Sequence, residues 1–280
     1  MRTFFIVLFL LNVILLSTLC SACPDTEKNN SNRIIFGVSP WVSSQVASLW
    51  SEKISSHFKA QTCYSVKFQS KANYEKFIAS ALAGEYDIIH LPPHIASYLI
   101  KEHQFKPVAI GFYHTDIVIF SNAEKGIKQV RDLEGEIIAV PDPLGLVTLV
   151  AREKIEAVLH SPPDFKYFGK HDYVVSAVLK DQAMAGVAIS TLLDAYVSPF
   201  RENIHIIKTF TKNMDGIVVA RPKLDDDVLI SIRNALFSFK ANDFTLWKSW
   251  KPVSEAEIKA LHIQQEPYVG FLKRYFKSKQ

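Results

Sequence analysis

The chain predicts an α/β fold with largely parallel sheets, on two observations. From residue 33 onward short apolar strands alternate with amphipathic helices. A strand, proline and helix cadence also recurs, first as Ile34–Val38 followed by Ser39-Pro40-Trp41. It returns as Asp87–Leu91 before Pro92-Pro93-His94, and as Glu136–Val140 before Pro141-Asp142-Pro143-Leu144. Proline suits a first helical turn, where its missing N–H costs nothing and its φ is already helical. If the strands share one direction, three helix N-termini converge on one crevice. Free N–H groups and partial positive charge there suit an anion or a polar small molecule.

Of the 280 residues, 21% are charged and 48% hydrophobic, an ordinary globular composition with room for one or two domains. Residues 1–22 read as a signal peptide: Met1-Arg2, an apolar run from Phe4 to Leu16, then small residues ending in Ala22. That run is too short for a membrane span. Two readings of Cys23 stay open. Ser21-Ala22 before it resembles the end of a lipobox, which would lipidate Cys23. Ordinary cleavage after Ala22 would instead leave Cys23 and Cys63 as a disulfide pair in an oxidising compartment. Residues 23–32 are polar and read as a flexible tether. Loss of Arg2 lowers the formal charge from +4 to +3, too small and too scattered an excess for nucleic acid.

In order, the predicted elements begin with strand Arg33–Val38, helix Trp41–Ser56, strand Tyr64–Gln69 and helix Asn73–Ala83, stopped by Gly84. Strand Tyr86–Leu91, helix His94–His103 and the apolar strands Lys106–Tyr113 and Asp116–Ser121 follow, with His114-Thr115 between the last two. A short helix from Lys128 to Leu133 precedes strand Glu136–Val140, helix Leu146–Leu159 and strand Phe165–Phe168. Helix Asp172–Leu179, strand Ala185–Ile189, helix Thr191–Tyr196 and strands Ile204–Phe210 and Asp215–Ala220 complete the middle. Helix Asp225–Phe239 begins on three aspartates that complement its dipole, and the tail from Ser254 is mostly helical.

Trp41 offers a flat face for a ligand or for the core. His171 stands at a predicted helix N-terminus, where a neutral ring donates to an oxyanion or simply packs. His94 follows the double proline as a third aromatic candidate. His90, His94, His114 and His171 do not form a metal-binding helix, since Pro92-Pro93 separates His90 from His94 and the others stand far apart, so no metal or other cofactor is expected. Asp142 before Pro143 reads as a helix cap. A Gly-rich phosphate loop, Gly-x-Ser-x-Gly and paired-cysteine motifs are missing from the sequence, so no enzyme is expected.

Segments in order resemble the phosphate/phosphonate-type substrate-binding proteins of bacterial ABC importers. They are Phe36-Gly-Val-Ser-Pro40, Gly84-Glu-Tyr-Asp-Ile88 before Pro92-Pro93, Tyr113-His-Thr-Asp-Ile-Val-Ile-Phe120 with Asp132-Leu-Glu-Gly135, and Lys170-His-Asp172 before Ser176-Ala-Val-Leu179. Thr211 to Asp227 is similar to the family's returning strand and helix start. The resemblance implies a two-lobed type II periplasmic-binding-protein fold, each lobe a mixed, mainly parallel sheet flanked by helices. Lobe 1 would hold residues 33–117 with 211–280 and lobe 2 residues 118–210, joined by crossing strands at Asp116–Phe120 and Ile206–Phe210. A small-molecule ligand would bind between lobes that close by hinge motion.

The resemblance places Tyr113, His114 and His171 at ligand positions. Ser39, Trp41, His94 and Thr115 join them on the cleft. Where the family carries a Ser-Thr-Ser-Gly cradle, this chain has Leu144-Gly145-Leu146-Val147, leaving the backbone at Gly145 and the hydroxyl of Thr148. The function implied is an exported receptor for a small oxyanion or related organic ligand, delivering to an ABC permease. The alternatives are a binding protein of the same fold signalling to a membrane sensor and, from another class, an enzyme using His171 and His114. Contact with a membrane is expected only through the signal peptide or a lipid on Cys23.

Overall fold

The computed structural model describes residues 33–111, 116–197, 202–210, 216–240 and 249–279. The readings of the signal peptide, the tether and Cys23, and those of Tyr113, His114 and Thr115, lie outside these residues. The first sheet has six strands: β1 (Arg33–Val38), β2 (Ser65–Gln69), β3 (Ile88–Leu91), β4 (Lys106–Gly111), β10 (Ile217–Ala220) and β11 (Trp250–Lys251), in the order β11-β4-β10-β3-β1-β2. Its helices are α1 (Ser44–Thr62), α2 (Tyr74–Leu82), α3 (Pro93–His103), α7 (Asp226–Ser238) and α8 (Glu255–Lys277). The second sheet orders β7 (Asp164–Tyr167), β6 (Ile137–Val140), β8 (Ala185–Ile189), β5 (Ile117–Asn122) and β9 (Ile204–Phe210) as β7-β6-β8-β5-β9. It carries α4 (Leu146–Glu156), α5 (His171–Leu179) and α6 (Ser190–Val197). We call the two layered bodies lobe 1 and lobe 2.

The sheets are more mixed than the strand and helix alternation suggests. β1 and β3 are parallel, as are β6 with β7 and with β8. β10 runs antiparallel to both β3 and β4, and β5 runs antiparallel to both β8 and β9. The cause is topological. β4 leaves lobe 1 and β10 returns to it, while β5 enters lobe 2 and β9 leaves it, so each pair meets head to tail. The segments expected to cross between the lobes, Asp116–Phe120 and Ile206–Phe210, fall in β5 and β9, which pair with each other antiparallel. Ile117 pairs with both Ile189 and Phe210, and the pairing continues to Asn122, which makes both segments full members of the second sheet.

Local chemistry explains the element ends. Asn73 caps α2 by accepting from the Lys76 amide, and Ser254 and Glu257 form a reciprocal capping box on α8. Gly37 lies against the Tyr86 ring, where a Cβ would sit 2.9 Å from Cγ, so β1 can pass only as glycine. Asp87 fastens the sheet by accepting from the Ile35 amide at 2.8 Å and from Arg221 Nε at 3.0 Å. Cys63, the left-handed C-cap of α1, is disulfide-bonded. The first helix starts at Ser44, not at Trp41. Trp41 and Val42 instead pack into the lobe 2 core among Ile117, Val140, Leu146 and Ile189.

Candidate functional site

With β1, β3 and β4 running one way and β6, β7 and β8 facing them, the carboxyl ends of these strands meet at the interlobe junction. A cavity of about 60 Å³ opens there. One water fills about 10–15 Å³ of such space, so the cavity suits a ligand on the order of five heavy atoms. Ser39 and Trp41 line it after β1, His90 and Pro92 at the end of β3, and Tyr74 from the first turn of α2. Lobe 2 contributes Pro141, Gly145, Leu146 and Val147 after β6, Gly169 and His171 after β7, and Ile189 at the end of β8.

The amides of α4 supply the site's polar end. The first helical bond of α4 runs from the Leu149 amide to the Gly145 carbonyl, so the amides of Leu146, Val147 and Thr148 precede the helical ladder. Gly145, the N-cap, has no side chain to cover them. At two other helices of the junction, one amide is taken by a lobe 2 carboxylate. Asp172 Oδ1 accepts from the Ser43 amide ahead of α1, and Asp142 Oδ2 accepts from the Tyr74 amide of α2, each at 3.2 Å. At α3 the first helical residue, Pro93, has no N–H. Of the three N-termini that follow the proline cadence, the one after Asp142-Pro143 puts its first-turn residues Leu146 and Val147 on the cavity. Asp142 does not cap it. The side chain folds back to accept from Leu144 at 2.8 Å as well as from Tyr74.

His171 is 5% exposed, and its Nδ1 has no hydrogen-bond partner among the described residues. Burial pushes its pKa down to about 3, so the ring is a neutral imidazole at physiological pH. His90 is held neutral by the same cause, also at about 3, and packs edge-on against Trp250. The Ser39 hydroxyl donates to the His90 carbonyl at 3.0 Å. Beside the cavity, burial lowers the pKa of Lys170 while Asp172 and Asp142 pull it back up. Burial raises the pKa of Asp142 against the two amides it accepts from.

The structure thus brings Ser39, Trp41, Gly145 and His171 to one cavity. His94 stands elsewhere: it is fully buried and its Nε2 donates to the Leu144 carbonyl at 2.8 Å, bracing the turn that leads into α4. Thr148 is buried one turn into α4, and its hydroxyl has no partner among the described residues. Tyr74 was missed by the sequence reading. Its signal is an aromatic residue directly after the Asn73 cap, at a helix start that faces the Asp142 turn. Among the described residues, no group of three His, Cys, Asp or Glu side chains is placed to hold a metal.

Residues 36–262 match the family model described as "ABC transporter, phosphonate, periplasmic substrate-binding protein". The chain belongs to this family. Its members are solute-binding proteins that work outside the cytoplasm with an ABC permease. Among solved structures, PhnD1 from Prochlorococcus marinus in complex with methylphosphonate superposes with a TM-score of 0.73 at 12% identity, over 86% of this chain and 98% of that one. A binding-protein component of an ABC phosphonate transporter from Pseudomonas aeruginosa gives 0.67 at 16% identity, over 89% and 99%. XAC2383 from Xanthomonas citri, bound to chloride ion, gives 0.64 at 13%, over 88% and 100%. At these identities the likeness is one of fold, the two-lobed periplasmic-binding-protein architecture. No curated protein sequence matches the chain.

Proposed function

We propose that this receptor binds a small phosphonate with its anionic head on the Leu146 and Val147 amides and its apolar substituent against Trp41 and Ile189. The observation that carries the reading is the uncapped α4 N-terminus opening on a small interlobe cavity beside a buried, neutral His171. Amide N–H groups and a helix dipole favour an oxyanion without any hydroxyl cradle. A neutral imidazole adds a donor and no charge. The residues we assign to the ligand are Ser39, Trp41, Tyr74, Gly145 and His171, with Tyr113, His114 and Thr115 assigned from the family resemblance. We place the lobe boundaries near residues 117 and 211, at the start of β5 and just past the end of β9.

The disulfide at Cys63 supports cleavage after Ala22 with Cys23 as its partner, because Cys20 would leave with the signal peptide. Cys23 is then not lipidated, and mass spectrometry of the secreted chain reads this directly. The test of function is calorimetric titration of the secreted chain with methylphosphonate, phosphite, phosphate, an aminoalkylphosphonate and a sulfonate. Saturable binding of a phosphonate, lost in Gly145→Asp, is expected. Gly145 has φ −71°, which any residue adopts; an added Cβ would press on the Asp142 carbonyl at 3.2 Å, and the aspartate would cap α4 and repel the anion. Binding that survives this charge, or silence across the panel, overturns the assignment.

A further inference from the structure

The residue on each side of His171, and His171 itself, grips one short segment of lobe 1. Lys170 Nζ donates to the Val42 carbonyl at 3.2 Å, the His171 amide donates to the Trp41 carbonyl at 3.1 Å, and Asp172 accepts from the Ser43 amide at 3.2 Å. Three consecutive residues of lobe 2 therefore hold three consecutive residues of lobe 1, beside the cavity that Trp41 and His171 both line. Across the cavity mouth Asp142 does the same for Tyr74.

From this geometry we infer that Asp142 and Asp172 are positioning residues that hold the cleft closed. Each caps, from lobe 2, the amide end of a lobe 1 helix, and so fixes the cavity aromatics Tyr74 and Trp41. α1 has no acidic residue in its first turn and no side-chain cap of its own. Asp172 supplies in closure what an N-cap normally supplies locally, a negative oxygen on a free amide at the positive helix end. The amide cannot keep this partner when the lobes part, so the bond belongs to the closed form alone. The apolar side chains of Trp41 and Val42 add to the same state, since they are buried in the lobe 2 core only while the segment is docked. Lobe opening must break these contacts together, and ligand escape is slowed accordingly.

The test uses the secreted chain and three variants, Asp172→Ala, Asp142→Ala and Ser43→Pro. Ser43 has φ −62°, already that of proline, so Ser43→Pro deletes the donor of the Asp172 bond without forcing a new φ at that position. Stopped-flow release of methylphosphonate and small-angle scattering of the unliganded protein are read alongside the melting temperature. Release is expected to quicken tenfold or more in each variant, with a larger radius of gyration; the melting temperature should change little in Asp172→Ala and Ser43→Pro, and fall in Asp142→Ala, which also strips the Leu144 amide of its acceptor. Asp172→Ala with Ser43→Pro should be no faster than either alone, because both remove one bond. Unchanged release in Asp172→Ala and Ser43→Pro, or scattering identical to the parent chain, overturns the inference. The scattering arm needs no ligand, so it still decides if methylphosphonate does not bind. If Asp172→Ala does not fold, Ser43→Pro probes the same bond from the other side.

Discussion

Replacing His171 by phenylalanine isolates what the imidazole contributes to the site. An aromatic ring stays, but it is larger than the imidazole, and overpacking at this buried position costs about 1–3 kcal/mol of stability. What disappears are both ring nitrogens, of which Nδ1 has no partner among the described residues. A hydrogen bond to a charged partner is worth about 1.5–3 kcal/mol, so the dissociation constant for methylphosphonate should rise about ten- to 150-fold. The pH dependence separates the mechanism from generic damage. With its pKa pushed down to about 3 by burial, His171 does not titrate between pH 5.5 and 8. Calorimetric affinities of parent and His171→Phe should therefore run parallel across that range, both following the ligand's own ionisation. Equal affinities would remove His171 from the site. A parent curve that gains up to about tenfold per pH unit over the variant as pH falls would mean that an imidazolium binds the anion, and would refute the neutral-ring argument.

Other outcomes follow from the same structure. His90 and His171 are neutral in the fold with pKa values near 3, below the ordinary 6.5, so the stability they confer is complete above pH 6.5 and is lost as pH falls toward 3. Urea midpoints should therefore drop steeply below pH 6, and less so in His171→Phe. Glu257 is held near pKa 2, first by Lys251 and then by the Ser254 cap. Its share of stability is complete above pH 4.5 and fades as pH falls through 2, and Ser254→Ala should cost about 1 kcal/mol in urea unfolding. Gly186→Ala would force a Cβ to 2.7 Å from Phe120 Cζ and 2.8 Å from Val174 Cγ1, an overpacking worth about 1–3 kcal/mol by denaturation. Asp87→Ala strips Arg221 and the Ile35 amide of their shared acceptor and should cost about 2 kcal/mol, read in the same way.

Much of this protein is written locally in its sequence. The β1, β3 and β6 strands end at prolines because the next residues enter loops or first helical turns that need no amide. That rule alone sends Ser39, Pro92 and Pro141 toward one crevice. Asn73 and Ser254 announce helix starts through side-chain capping, a contact that spans three residues. Gly145 and His171 were also legible, since both stand at the first turn of a helix that follows a strand, where backbone donors are free whatever the rest of the chain does.

What only tertiary structure decided are the pairings that no local signal encodes. Trp41 looks like the opening of a helix, yet the helix waits until Ser44 because the segment is drawn into lobe 2, with Ser43 bonded to Asp172 at a separation of 129 residues. His94 is turned from the cavity to the Leu144 carbonyl, 50 residues on, and Tyr74 is brought to the wall by Asp142, 68 residues away. Asp142 reads as a cap in sequence because an aspartate beside proline usually is one. Closure of the lobes offered it a better amide in another helix. A helix N-terminus is a property of its own few residues, whereas which N-terminus faces the cavity depends on how the two lobes meet.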